Sequence, residues 1–129
     1  MNILIVDDEE VVRDVLTELV RREGYQPVPA RSGEEALVLL EREEIDLVLL
    51  DLMLPGMSGL EVMRQVKGRD PEQVVIVVTA YSSIEGAIEA MRDGAFHYIP
   101  KPFKNEEVVL TIRRGLEQRR LTSENRALR

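Results

Sequence analysis

The chain has 129 residues, 44% of them hydrophobic, enough for one domain around a single core. It contains no cysteine, which excludes disulfides, a thiolate nucleophile and zinc–sulfur coordination, and no apolar run reaches the length needed to span a bilayer. A formal net charge of −7 and a sequence pI near 4.8 argue against direct binding of this segment to nucleic acid phosphates.

In chain order, the opening MNILIVDDEE lacks the basic flank and long apolar stretch of a secretory signal, so the expected location is cytoplasmic. Its β-branched run, Asn2 to Val6, predicts a first strand. A helix follows from about Glu10 to Glu23, with Val12, Leu16, Leu19 and Val20 on one face and Gly24 as a left-handed stop. Gln26 to Ala30 predicts the second strand, and Ser32 is positioned to cap the second helix. The third strand, Leu47 to Leu50, ends in LLDLMLPG, a run of large apolar side chains around one carboxylate, Asp51. Burying an unpaired charge among such neighbours costs several kcal/mol, so Asp51 demands a partner.

Two capping boxes are expected beyond it, Ser58 to Glu61 and Ser82 to Glu85, each a serine with a glutamate three residues on. They open the third and fourth helices, and Gly94 closes the fourth. Val74 to Val78 and Tyr98 to Pro100 complete the strands. Asn105 opens a fifth helix with Val108, Val109, Ile112 and Leu116 as its apolar stripe. Ile88 and Met91 on the fourth helix are expected in the core rather than at an interface.

Strict alternation of strand and helix in so short a chain predicts a parallel sheet with helices on both faces, since crossovers are right-handed and helices must bury their stripes. In such α/β sheets ligands bind beyond the carboxyl ends of the strands. The residues leaving the strands are Asp7 and Asp8, Asp51, Thr79 and Lys101. Two carboxylates about 4 Å apart repel by roughly 4 kcal/mol at an effective dielectric near 20. Three acids on one rim therefore require positive charge. Lys101 supplies part of it, and a hard cation held by a few carboxylates and waters, Mg²⁺, suits the remainder. A rigid carboxylate beside such charges can attack phosphorus, with Lys101 and the metal neutralising the equatorial oxygens and Thr79 donating a hydrogen bond.

This ordered set, together with Pro55 and Gly59 after Asp51, Ala80 after Thr79 and Pro102 after Lys101, resembles the receiver domain of two-component response regulators over the chain to about residue 120. The resemblance implies a flavodoxin-like receiver fold, a doubly wound five-stranded parallel sheet of order 2-1-3-4-5. It implies that Asp51 accepts a phosphoryl group from a sensor histidine kinase. Asp8, Asp51 and the backbone carbonyl of Met53 would bind Mg²⁺, with Asp7 acting largely through a metal-bound water, and the Lys101–Pro102 bond would be cis. Thr79 would move toward the phosphoryl group, which adds nearly two charges and three acceptors, and Tyr98 would turn inward to fill the space. Tyr81 would govern water access to the acyl phosphate. Self-association is expected through the fourth helix, fifth strand and fifth helix.

The fifth helix is expected to run on to about residue 127, roughly 35 Å at 1.5 Å per residue, which is longer than a receiver needs. Leu121, Asn125 and Leu128 fall at d, a and d of a heptad, a pattern for a parallel two-stranded contact. The expected division is thus a receiver over 1–120 and the start of a linker helix over 121–129. The ending ENRALR and the block TAYSSIEGAIEAMRDGAFHYIPKPF resemble nitrogen-regulation-type activators, in which a sigma-54-dependent ATPase and a DNA-binding domain follow the receiver.

Blander expectations stand beside these. The run Asp7 to Glu10 also suits a helix dipole, His97 has no partner motif, and Arg113, Arg114, Arg119 and Arg120 interleave with glutamates as a solvated face. A dehalogenase-like phosphatase needs an acid where Met53 stands, and a dinucleotide-binding module needs glycines where Asp7 and Asp8 stand. The remaining alternatives are a phosphorylation-independent adaptor of the same fold and a stand-alone phosphorelay receiver.

Overall fold

The apolar runs become five parallel strands, β1 (Asn2–Val6), β2 (Gln26–Ala30), β3 (Leu47–Leu50), β4 (Val74–Thr79) and β5 (His97–Pro100), hydrogen-bonded in the order β2-β1-β3-β4-β5. Between and after them run α1 (Glu10–Arg22), α2 (Gly33–Arg42), α3 (Gly59–Arg69), α4 (Ile84–Arg92) and α5 (Asn105–Ala127). This computed structural model describes residues 1–81 and 83–127, with side chains other than those of residues 82 and 123–129.

Alternation along the strands sorts the core into two layers, because successive side chains leave opposite faces of a sheet. Leu4, Val6, Val48, Leu50, Val75 and Val77 pack with Ala36 of α2, Val62, Met63 and Val66 of α3 and Ala90 of α4. Ile3, Ile5, Leu47, Leu49, Ile76, Val78 and Ile99 pack with Leu16, Leu19 and Val20 of α1 and Val108, Ile112 and Leu116 of α5. The central strands β1, β3 and β4 are apolar on both sides, as strands covered by helices on two faces must be.

The helix ends follow local chemistry. Ser32 Oγ accepts from the Glu35 amide and Ser58 Oγ from the Glu61 amide, satisfying donors of the first turn. Gly24 and Gly94 adopt φ of 86° and 106° just past α1 and α4, the left-handed positions where glycine escapes the Cβ clash. α1 ends at Arg22 with Glu23 as its cap. The cap of α4 is Ser83, whose Oγ accepts from the Gly86 amide, and the expected Ser82 lies outside the described residues. Glu85 is two residues after this cap. Asn105 is the first helical residue of α5, and the Lys104 carbonyl takes the opening turn. β4 reaches Thr79, one residue beyond the expected end, and β5 begins at His97, one residue before its expected start.

One expectation about α4 is overturned. Ile88 and Met91 are 51% and 46% exposed, and the residues facing inward are Gly86 and Ala90. Ala90 packs in the core layer with the strands and Gly86 lies beneath the Tyr81 ring, so the larger apolar residues of α4, Ile84 included, are left facing solvent. Arg113 pairs with Glu23, Arg120 with Glu117 and Arg119 with Asp70, so three of the four arginines of α5 with described side chains are paired with acids. No described helix is long and apolar enough to cross a membrane. Leu121 is half exposed; the Asn125 side chain and Leu128 lie outside the described residues.

Candidate functional site

At the carboxyl edge of the sheet, each chain segment makes one more ladder-like hydrogen bond before its side chain departs. The Asp7 amide donates to the Ala30 carbonyl, the Asp51 amide to the Val6 carbonyl and the Lys101 amide to the Thr79 carbonyl, at 3.2, 3.0 and 2.9 Å. Val6 and Leu50 are register partners, so the next residues, Asp7 and Asp51, stand side by side. Thr79 is level with Pro100, which places Lys101 one step further out and able to reach back over both acids.

The backbone order brings Asp7, Asp8, Asp51, Thr79 and Lys101 together. Lys101 Nζ donates to Asp7 Oδ2 at 2.8 Å and to Asp51 Oδ2 at 2.9 Å, with Glu9 Oε1 at 3.4 Å. Thr79 Oγ1 donates to Asp51 Oδ1 at 2.7 Å, and the Met53 amide donates to the same oxygen at 2.9 Å. Asp51 is therefore held at both oxygens, which answers the desolvation problem its apolar neighbours pose. The Lys101–Pro102 peptide bond is cis.

The adjacent acids differ sharply. Asp7 is buried and Asp8 exposed, because Asp7 continues the line of β1 while Asp8 begins the turn into α1. Burial pushes the Asp7 carboxyl above its usual range, against the hydrogen bonds from Lys101 and from the Glu9 amide. For Lys101, burial works to lower the ammonium, but hydrogen bonds to Asp7 and Asp51 outweigh it and hold the charge firmly on. One oxygen from each of Asp7, Asp8 and Asp51 can be chosen so that all lie within 4.8 Å of one another. Three hard oxygen donors with a single ammonium among them make a donor set that fits a divalent cation of the Mg²⁺ type.

The half-buried Tyr98 donates its hydroxyl to the Tyr81 carbonyl, and burial, followed by the nearby Tyr81 and Asp51, raises its phenol. His97 is exposed. Two residues that spacing did not point to also act here. The Glu9 amide donates to Asp7 Oδ1 at 2.9 Å, and Arg13, one turn into α1, donates from its guanidinium to the Asp7 carbonyl at 2.9 Å. Together they brace the acidic turn. Glu9 read as one more acid in a helix-favouring run, and nothing local marked Arg13, since its partner lies six residues back across the turn.

Residues 3–113 match the sequence family described as the response regulator receiver domain. An NtrX-like response regulator of Rickettsia bellii is 36% identical over 127 residues, covering 97% of this chain and 27% of that protein. Regulatory protein AtoC of Escherichia coli is 37% identical over 126 residues, covering 98% and 27%. Among solved structures, NtrX from Brucella abortus in complex with ADP superposes with a TM-score of 0.93 at 35% identity, covering 99% of this chain and 30% of that one. The chain thus spans about a quarter of the length of these curated relatives.

Proposed function

This chain belongs to the response regulator receiver domain family, and on that premise we propose that it is a phosphorylation-activated switch whose acceptor is Asp51. The observation that carries the proposal is the convergence of Lys101 Nζ and Thr79 Oγ1 on the two oxygens of one buried carboxylate. A carboxylate oxygen of Asp51 attacks the phosphorus of a phosphohistidine on a partner kinase. The new O–P bond forms as the P–N bond breaks, and its electron pair returns to the imidazole. Lys101 exchanges its contact with Asp51 for a phosphoryl oxygen, and Thr79 turns its hydroxyl toward another. Asp7, Asp8, Asp51 and the Met53 carbonyl would hold Mg²⁺, which when bound supplies positive charge to the transferring group.

The output follows from what Thr79 leaves behind. As its hydroxyl moves, Tyr98 and α4 change their packing, a population shift that the phosphoryl group biases by its difference in affinity for the two arrangements. The surface altered is that of α4, β5 and α5, where Ile84, Ile88 and Met91 already stand exposed, and its occupant is a second copy of this chain. The likeness to AtoC and to NtrX-like regulators supports a place at the head of a transcriptional activator of the sigma-54-dependent type, working in the cytoplasm, with α5 leading as a linker from about residue 121.

Incubation with acetyl phosphate and Mg²⁺ is expected to add one phosphoryl mass. The Asp51→Asn variant, or omission of the metal, is expected to abolish it. No uptake by the unaltered chain would favour the adaptor instead. For the dimer, sedimentation is expected to show self-association in the phosphorylated or the unphosphorylated state, weakened by Ile88→Asp and by removal of residues 121–129. A monomer in both states discards it.

A further inference from the structure

The loop after β4 contains a three-way junction at one residue. The Tyr81 amide donates to Thr79 Oγ1 at 3.2 Å, and its carbonyl accepts the Tyr98 hydroxyl. Its ring lies over Gly86 in the first turn of α4, so close that a Cβ built on Gly86 would stand 2.1 Å from Tyr81 Cε1 and 2.5 Å from Cδ1. Thr79 in turn donates to Asp51. An unbroken path therefore runs from the acceptor carboxylate through Thr79 to the Tyr81 backbone. It branches there to Tyr98 by a hydrogen bond and to α4 by a ring seated in a notch.

Gly86 is not required by its own backbone. It lies within a helix, its φ is not in the left-handed region, and alanine is the better helix former. The Tyr81 ring is what most needs the missing Cβ. The two heavy atoms nearest the built Cβ belong to the Tyr81 ring, and the third is Ser83 Oγ of the cap at 3.0 Å.

We propose that Tyr81 is the positioning residue that makes Thr79, Tyr98 and α4 move as one piece, and that Gly86 is the notch that keys its ring to the helix. The proposal rests on Asp51 as phosphoacceptor and adds the joint between the acceptor and the output surface. Displacing Thr79 Oγ1 toward a phosphoryl oxygen pulls on the Tyr81 amide. Because the same residue holds Tyr98 through its carbonyl and α4 through its ring, the pull reaches both. Without the seated ring, Thr79 and Tyr98 still move, but α4 is released from them.

The test uses the three tyrosines of the chain as ring-labelled NMR probes, with the backbone amides of α4 followed in parallel. Acetyl phosphate and Mg²⁺ supply the phosphoryl group, and mass spectrometry reports its uptake. Gly86→Ala is expected to take up phosphoryl to the unaltered extent while the phosphorylation-induced shifts of the α4 amides fall to less than about half. Tyr81→Ala is expected to give the same loss, and the double variant no further loss, since residues acting through one contact are non-additive. Tyr81→Phe, which keeps both ring and backbone, is expected to retain the unaltered α4 response. Additive losses in the double variant, or a full α4 response in Gly86→Ala, overturn the joint. Absence of the phosphoryl mass from the unaltered protein would instead overturn Asp51 as acceptor.

Discussion

Lys101→Met is expected to cost about 3 kcal/mol of stability in the absence of divalent metal and to slow phosphoryl uptake by about 10²- to 10³-fold. The Lys101 side chain is 10% exposed and its partners Asp7 and Asp51 are 1% and 3% exposed, so all three are largely withheld from water. Removing the ammonium leaves two buried carboxylates facing each other with no cation between them, the costly half of any broken buried pair. Mg²⁺ is expected to return part of the lost stability, because a ligand that binds only the folded state stabilises by mass action. It is not expected to restore the rate, since in the proposed transfer Lys101 neutralises a phosphoryl oxygen of its own. Asp7→Asn lowers the charge that Lys101 must balance, and in that background Lys101→Met is expected to lose less. Urea denaturation of the four proteins, with and without Mg²⁺, measures both effects. A Lys101→Met variant as stable as the unaltered chain without metal would show that Lys101 does not balance the acids.

Gly59→Ala and Gly68→Ala, the same substitution twice in α3, are expected to act in opposite directions. A Cβ on Gly59 would lie 2.3 Å from the Asp51 carbonyl oxygen and 2.4 Å from Leu52 Cα. Both are backbone atoms, so no rotamer change relieves the clash, and the variant is expected to lose about 2–3 kcal/mol. Gly59 also donates its amide to the Leu52 carbonyl at 3.1 Å, so pushing α3 away disturbs the segment that carries Asp51. Phosphoryl uptake is therefore expected to fall along with stability. A Cβ on the exposed Gly68 meets nothing within 4 Å, and alanine there is expected to add about 0.5 kcal/mol by helix propensity alone, with uptake unchanged. Equal stability changes at the two sites, read from thermal unfolding, would rule out the close approach of α3 to the end of β3.

Much of the fold was legible because its signals are local. The apolar run Leu47 to Leu50, the alternation of strands with helical stripes, and the serines at positions 32 and 58 each depend on residues within a few positions of one another. Strand ends are local too, so the polar residues that leave β1, β3, β4 and β5 could be named as a group, and the resemblance to receivers supplied their order. Boundaries slipped by one residue where hydrogen bonding to a neighbouring strand decided the matter, as at Thr79.

What composition and periodicity could not reach were choices set by packing between distant segments. Helical spacing marks Ile88, Met91 and Ala90 alike as apolar; the way α4 packs put Ala90 in the core layer and left the large ones in water. Asp7 and Asp8 are the same residue type side by side, and the path of β1 alone buries one and exposes the other. Arg13 and Gly86 gained their partners from how loops fold back, across contacts with no periodic signature. By itself the sequence determined which segments are strands and helices and which polar residues end them, since backbone preference and side-chain polarity are properties of short stretches. The tertiary structure alone decided which of those residues touch and at what distance, because van der Waals contact between segments far apart in the chain is fixed only when the whole core closes.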